Sequence, residues 1–394
     1  MSNKKSLQAD VFTPLLLNPQ MKFDWQEIQK LMLGAEVVDA FPEAIEDLFK
    51  IQFPFINPET PEYNKTFTQY KEKYYPDSDW SRYGIWAYYS WRNCLVHIPN
   101  QEQYLALRTS RNKFLITPEE QSKFYNSHIG ISGLSVGSSV LSAIVLSGGG
   151  KYLRIADPDT LAITNLNRLQ SSLFDVTKSK ALNAARKVQE LDPYAQVKVF
   201  KHGLRTSLLD QFFLDEKPLD LFIEEMDDIK LKVVTRFYAR NHKIPVVMAT
   251  DNGDNAIVDV ERFDLEPKRP LFHGKIDEKV LKNVGEKLSM AEKVYFASQI
   301  VGNDITPRTK ISLQMVGTKL PTWPQLGNAA ILSGTAVSYI ARRILTGQTM
   351  PSGRYEISLD QAFDTDYATP HAKHYRQQVS EEYLSALKLI FGVE

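Results

Sequence analysis

The sequence predicts an α/β fold: a Rossmann-like, doubly wound, mostly parallel sheet with helices on both faces, plus an aromatic-rich N-terminal appendage. Three observations predict it. Short apolar runs alternate with segments of helical period from about residue 118 onward. A Gly-rich turn, Gly133-Leu134-Ser135-Val136-Gly137, separates one such run from a stretch of small residues. An acid, Asp157, closes the next run, completing the order strand, turn, helix, strand, acid of a nucleotide-binding βαβ unit.

The elements follow in chain order. Residues 101–115 read as helical and basic, with Arg108, Arg111 and Lys113. Thr117-Pro118-Glu119-Glu120 supplies a cap, a proline at the first helical position and acids in the first turn. A buried strand at 128–132 comes next, then a helix at 138–147 stopped by Gly148-Gly149-Gly150. A second strand, 152–156, delivers Asp157 at its carboxyl end. Residues 177–191 carry Ala181, Ala184, Ala185, Val188 and Leu191 at helical spacing and close on Asp192-Pro193. Strands at 197–200, 219–223 and 244–249 follow, with a helix through Arg240 before the last. The strand at 219–223 runs into Glu224-Glu225-Met226-Asp227-Asp228. Ligands of such sheets bind beyond the carboxyl ends of the strands, where Asp157, Asp227 and Thr250-Asp251 fall. Trp323-Pro324-Gln325-Leu326-Gly327 then precedes an apolar helix at 329–345, rich in small residues that suit the core or a subunit contact. A strand at 355–359 and a helix at 381–391 end the chain.

A chain of 394 residues exceeds the usual single-domain size. Three parts are expected: 1–104, an appendage of unknown role; 105–345, the nucleotide-binding domain; and 346–394, a strand–helix extension packed on the core. The appendage holds Tyr74, Tyr75, Trp80, Tyr83, Trp86, Tyr88, Tyr89 and Trp91, a density that suits a folded unit or an aromatic recognition surface. The 47 basic and 47 acidic residues balance, which makes nucleic acid and anionic membranes unexpected partners. No apolar run reaches about 18 residues. The start, Met1 to Ser6, lacks the apolar core of a signal peptide, so a cytoplasmic location is expected. The one cysteine, Cys94, excludes an intrachain disulfide and a Cys-x-x-Cys zinc site. Beside Trp91, Leu95 and Val96 it reads as a buried structural thiol; His97 is the one hint of a nucleophile.

The densest chemistry lies between Asp157 and Gln170, which includes Asp159, Asn165, Asn167 and Arg168. An acid at the end of the second strand can accept hydrogen bonds from both ribose hydroxyls. Backbone N–H groups of the Gly133–Gly137 turn and of the helix after it can face phosphate. Arg168 and Lys180 are placed to neutralise phosphate charge. Asp227, at the end of another strand, suits Mg²⁺, which takes carboxylate and phosphate oxygens.

The chain at this point resembles the ThiF/MoeB adenylyltransferases, the family that includes the ubiquitin-activating enzymes. Their pattern Asp-x-Asp-x-Val-x-x-Ser-Asn-Leu-x-Arg-Gln is matched by Asp157-x-Asp159-x-Leu161-x-x-Thr164-Asn165-Leu166-Asn167-Arg168-Leu169. The resemblance implies ATP and Mg²⁺ as cofactors, with Asp157 on the ribose and Asn165 and Arg168 on the triphosphate. Gly133, Ser135, Gly137 and Asp159 join the nucleotide-binding set. Lys180, at the end of Thr177-Lys178-Ser179-Lys180, inherits the family's phosphate-binding lysine. Met226-Asp227-Asp228 matches the family's Thr-Asp-Asn and gives Asp227 the metal and triphosphate role. Arg108-Thr109-Ser110-Arg111-Asn112 resembles Arg-Tyr-x-Arg-Gln, whose second arginine reaches the neighbouring subunit's triphosphate. Arg111 supplied in trans within a homodimer is therefore implied. The catalytic set implied is Arg168, Lys180, Asp227 and Arg111.

Three departures shape the expectation. Ser135, Val136 and Ser138 stand where the family has glycines, and Val136 narrows the backbone's approach to phosphate. The family's zinc cysteines are absent. No cysteine follows the nucleotide site, so the expected reaction is activation of a carboxylate without a cysteine thioester. Four acyl substrates stay open: a ubiquitin-like C-terminus, a peptide, a modified-tRNA carboxylate and a small acid. His273, in Arg269-Pro270-Leu271-Phe272-His273-Gly274-Lys275, reads as a substrate or acid–base residue or as an ordinary loop histidine. A flavoprotein partner is suggested only by the company some ThiF-like proteins keep. Two other readings stay open: an NAD(P)-binding Rossmann oxidoreductase with Asp157 on the ribose, and a non-catalytic ATP-binding scaffold.

Overall fold

The computed structural model describes residues 11–77, 79–285 and 287–391; the Met1 to Ser6 segment read above lies outside them. The chain divides into two compact units. One takes the described residues up to Ser122 together with Val145–Gly148 and Ala185–Ala195; the other takes Lys123–Ile144, Gly149–Ala184 and the chain from Gln196 on.

The first unit is built on a four-stranded sheet of β1 (Leu15–Leu17), β2 (Glu36–Asp39), β3 (Ile85–Tyr89) and β4 (Cys94–Ile98), in the order β1-β3-β4-β2. β1 and β3 pair antiparallel, as do β3 and β4, and β2 runs parallel to β4. The aromatic density of the sequence is its core. Trp86 and Phe41 stack on opposite sides of the fully buried His97, with ring centroids 4.2 and 4.6 Å away. Tyr75, Phe67 and Tyr70 pack around the buried Phe41 and Ile45. The helix Pro61–Tyr74 starts as its sequence dictates, with Thr60 capping the N–H of Tyr63 and a proline in the first turn.

The second unit is built on a seven-stranded sheet. Its strands are β5 (His128–Ser132), β6 (Tyr152–Ala156), β7 (Gln196–Phe200), β8 (Leu221–Glu224), β9 (Val246–Asn252), β10 (Asn255–Glu261) and β11 (Gly353–Ile357). The order is β11-β10-β9-β8-β5-β6-β7. The run from β7 through β9 is parallel, and β10 and β11 add antiparallel pairs at one end. The mostly parallel α/β expectation therefore holds. Every residue of β8 and β10 is buried, so both faces of the sheet are covered there, as parallel-type sheets require.

Two differences from the sequence reading have clear causes. β10 was not expected, because Asn255, Asp259 and Glu261 make it look like a polar loop. Its acids are buried because charged partners from distant segments meet them. Arg236 Nε donates to Glu261 Oε2 at 2.7 Å, and Arg354 Nη2 donates to Asp259 Oδ2 at 2.7 Å. The last helix spans Pro370–Phe391, beginning earlier than residue 381, since its first turns are largely exposed and carry no apolar stripe. The small residues of the helix Gly327–Thr346 do serve close packing: a Cβ on Gly334 would lie 2.7 Å from the Ser139 backbone carbon.

Candidate nucleotide site

The chain leaves β5 into a turn that only glycine can begin. Gly133 has φ +87°, and a Cβ there would come within 2.2 Å of the Glu225 carbonyl oxygen. Its N–H donates to Ala156 O at 2.8 Å. The next N–H, of Leu134, donates to Asp157 Oδ2 at 2.6 Å, while Asp159 N–H donates to Asp157 Oδ1 at 2.8 Å. The acid at the end of β6 thus fastens the turn after β5 and shapes its own loop. Asp157 is 4% exposed. Burial pushes its carboxyl up, against the pull of the Leu134 hydrogen bond and the Lys180 charge. Each carboxylate oxygen has a second lone pair, so capacity for ribose hydroxyls remains. From the turn the chain enters the helix Val136–Leu146; Val136 itself is buried.

Two cations sit on this frame. Arg168 Nε donates to Ser135 Oγ at 3.0 Å and Nη1 to Asn167 Oδ1 at 2.9 Å, so the guanidinium is held against the turn. Partial burial depresses its pKa, and the charges of Asp251 and Asp227 oppose that. A guanidinium remains charged through such a shift. Lys180 Nζ donates to Asp159 Oδ2 at 2.8 Å; the lysine side chain is buried and the aspartate is largely exposed. Asn165 Oδ1 accepts from Ala162 N–H at 3.0 Å and so closes the short turn Ile163–Asn165 that precedes Arg168.

Four further acids lie at the ends of β8 and β9. Asp227 is exposed, and Asp228 beside it caps the next helix by accepting from Leu231 N–H at 2.9 Å. Glu225 Oε1 accepts from Ala249 N–H at 2.8 Å, and burial pushes its carboxyl well above the usual range. Asp251 is half-buried; Ser333 Oγ donates to its Oδ1 at 2.8 Å and Gln325 Nε2 reaches its Oδ2 at 3.4 Å. No group of three or more metal-ligating side chains occurs among the described residues. A Mg²⁺ carried chiefly by nucleotide phosphates needs only one or two protein carboxylates, and the exposed Asp227 could supply one.

Residues 109–272 match the ThiF family. The likeness to that family lies in this segment, which is under half of the chain. An uncharacterized protein of Mycobacterium tuberculosis is 38% identical over 281 residues, covering 71% of this chain and 38% of that protein. The chain therefore spans well under half the length of that relative. The tRNA threonylcarbamoyladenosine dehydratase of Bacillus subtilis is 26% identical over 181 residues, covering 44% of this chain and 70% of that protein. Among solved structures, E. coli MccB with MccA-N7isoASN aligns at TM-score 0.47 and 16% identity, covering 80% of this chain and 84% of that one. E. coli tRNA N6-threonylcarbamoyladenosine dehydratase, TcdA, aligns at TM-score 0.44 and 18% identity, covering 61% and 95%.

Within the segment that matches the ThiF family, hydrogen bonds join Asp157 to the Gly133 turn, Ser135 to Arg168, and Asp159 to Lys180. Asp227 belongs to the same group through its field on Arg168. Gly137 sits at the start of the helix, where a Cβ would lie 3.2 Å from an Ile131 methyl. Arg111 is in the other unit, exposed on the turn Ser110–Asn112. His273 is committed elsewhere: Nε2 lies 3.0 Å from Asp259 Oδ1 and Nδ1 3.0 Å from Arg269 Nη2, so it reads as a structural histidine. Cys94 is part-exposed rather than buried, and desolvation raises its thiol pKa, which disfavours the thiolate. Sequence reasoning missed Gln325 and Ser333, whose partner Asp251 lies more than seventy residues away. It saw Glu225 only as part of an acidic run. No helix among the described residues is long and apolar enough to cross a membrane.

Proposed function

We propose that the ThiF domain is a Mg-ATP-dependent adenylyltransferase that activates a carboxylate as an acyl-adenylate and releases pyrophosphate. One observation supports the reading beyond the family likeness: Arg168 is held on Ser135 of a turn that Asp157 fastens, so a cation sits at the Gly turn, close to an acid suited to the ribose. The substrate carboxylate is already ionised at pH 7, so no general base is required. Its oxygen attacks the α-phosphorus, a new O–P bond forms, and the bond to the β,γ-pyrophosphate breaks. Arg168 and Lys180 stabilise charge building on the phosphates, and Gly133, Ser135 and Gly137 frame the turn against them. Lys180 must leave Asp159 or share itself with it. Asn165 shapes the loop that presents Arg168. Bound Mg²⁺, with Asp227 among its ligands, supplies further charge neutralisation.

The one cysteine, Cys94, lies before the ThiF segment, which supports direct transfer of the acyl group rather than a thioester relay. The working form in this reading is a cytoplasmic homodimer with Arg111 completing the partner's site. The carboxylate belongs to a peptide, a ubiquitin-like protein or a small acid. Thermal-shift titration separates ATP from NAD, because the true ligand stabilises by mass action. Carboxylate-dependent ATP–pyrophosphate exchange then tests the chemistry. Asp227→Ala and Arg168→Ala are expected to abolish exchange while the protein stays folded; exchange surviving in both overturns the mechanism.

A further inference from the structure

The strand ends lay out an order for the ligand. Going along the sheet from β6 through β5 and β8 to β9, the chain presents Asp157, then the Gly133 turn, then Asp227, then Asp251. β8 and β9 run parallel with Ile223 opposite Val247, so Asp251 lies four residues past that pair on β9, as Asp227 does in the chain leaving β8. With the ribose at Asp157, phosphates at the turn and the metal at Asp227, the strand end beyond them, that of β9, meets the acyl part. Three strand spacings of about 4.8 Å put that end about 14 Å along the sheet from the ribose acid.

Asp251 is built into that place. The fully buried Ser333 donates to Oδ1, and Gln325 approaches Oδ2, so the carboxylate's direction is fixed by the helix Gly327–Thr346 and the segment leading into it. Among the described residues no basic side chain forms an ion pair with Asp251. The one cation whose charge acts on it, Arg168, makes its hydrogen bonds to Ser135, Asn167 and Thr164. Once Arg168 turns its charge to phosphate, Asp251 is a half-buried carboxylate without a counter-charge. Burial already pushes its pKa up, against the pull of the Ser333 hydrogen bond, the Arg168 charge and Gln325. A ligand that brings a cation removes the penalty.

We propose that Asp251 determines substrate class by pairing with an ammonium group on the acid being activated, so that the substrate is an amino acid with a free amine within a few bonds of its carboxyl. The inference rests on the adenylation reading above.

The test uses non-hydrolysable acyl-sulfamoyl adenosines in matched pairs that differ only in ammonium against methyl: glycyl with propionyl, β-alanyl with butyryl, γ-aminobutyryl with pentanoyl. Binding is measured to the full chain and to Asp251→Asn, an isosteric change that keeps an acceptor for Ser333. In at least one pair the ammonium member binds the unsubstituted protein roughly 10- to 100-fold tighter, as a charge-assisted hydrogen bond gives, and the ratio falls to about one in Asp251→Asn. A ratio near one for every pair in the unsubstituted protein overturns the proposal, as does a preference that persists in the variant. Titration with AMP alone separates this from failure of the adenylation reading. AMP that stabilises the protein while the pairs show no preference removes only the role of Asp251; a protein that neither AMP nor any analogue stabilises removes both.

Discussion

Leu134 N–H donates to Asp157 Oδ2 at 2.6 Å, joining the turn after β5 to the acid after β6. Because the acid also accepts from Asp159 N–H, its removal frees two backbone donors, the first of them buried. Asp157→Ala is expected to destabilise the domain by about 1–3 kcal/mol, the cost of unsatisfied buried groups. Asp157→Asn keeps one acceptor and should fall between. Denaturant melts give the stability, and parallel ATP titrations should show affinity lost in the same order.

Gly133→Ala should be worse than its one added methyl suggests. The residue has φ +87°, and the new Cβ would meet the Glu225 carbonyl oxygen at 2.2 Å, a backbone atom that cannot swing aside. Strain and clash together are expected to cost about 3 kcal/mol or more. Gly347→Ala is the control: its φ is +81° but nothing lies within 4 Å of the added Cβ, so it isolates the strain. Equal melting temperatures for the two variants would refute the close-approach argument.

Glu225 gives a pH signature. Burial, opposed by the Ala249 N–H, holds its carboxyl pKa well above the ordinary value of 4.5. The folded state therefore binds more protons than the unfolded state between those two pKa values. Stability must fall as pH rises through that window. Glu225→Gln keeps an acceptor for Ala249 and removes the charge. The variant should match the unsubstituted protein below pH 4.5 and melt at a higher temperature above the window.

Asp259 should behave in the opposite sense. Burial opposes its charge, but hydrogen bonds from His273 and Arg354 win and hold its pKa at about 2, below the ordinary 3.8. Its contribution is complete above the unfolded value and is lost as pH falls through about 2. Asp259→Asn leaves Arg354 and His273 without their counter-charge and is expected to cost about 3 kcal/mol at neutral pH. Acid titrations of both proteins should converge toward pH 2.

What the sequence revealed and what it hid have physical causes. β5 and β6 were legible to the residue because each is a short apolar run ending at a glycine or an acid. Asp157 and Arg168 were legible because local spacing sets their places. β10 was hidden because burial of Asp259 and Glu261 depends on Arg236, Arg354 and His273, which the fold brings in from other segments. Asp251 showed in sequence only as an acid at a strand end; Ser333, 82 residues away, makes it a fixed carboxylate. In the N-terminal unit the aromatic residues signalled a core without a period from which its four strands could be read.

Arg111 provides the last prediction. It is exposed on the turn Ser110–Asn112, and in the proposed homodimer it serves the partner's site. Arg111→Ala and Asp227→Ala should each abolish AMP formation when present in both subunits. Mixed after subunit exchange, they form a heterodimer in which one site has both residues intact: its own Asp227 and the arginine from the other subunit. Random pairing makes half the dimers heterodimers with one working site of two, so activity should return to about a quarter of the unsubstituted level. An arginine acting within its own subunit cannot do this, because each protomer of the mixture lacks one of the two residues. A mixture as inactive as its components, with subunit exchange verified, would place Arg111 outside the partner's site.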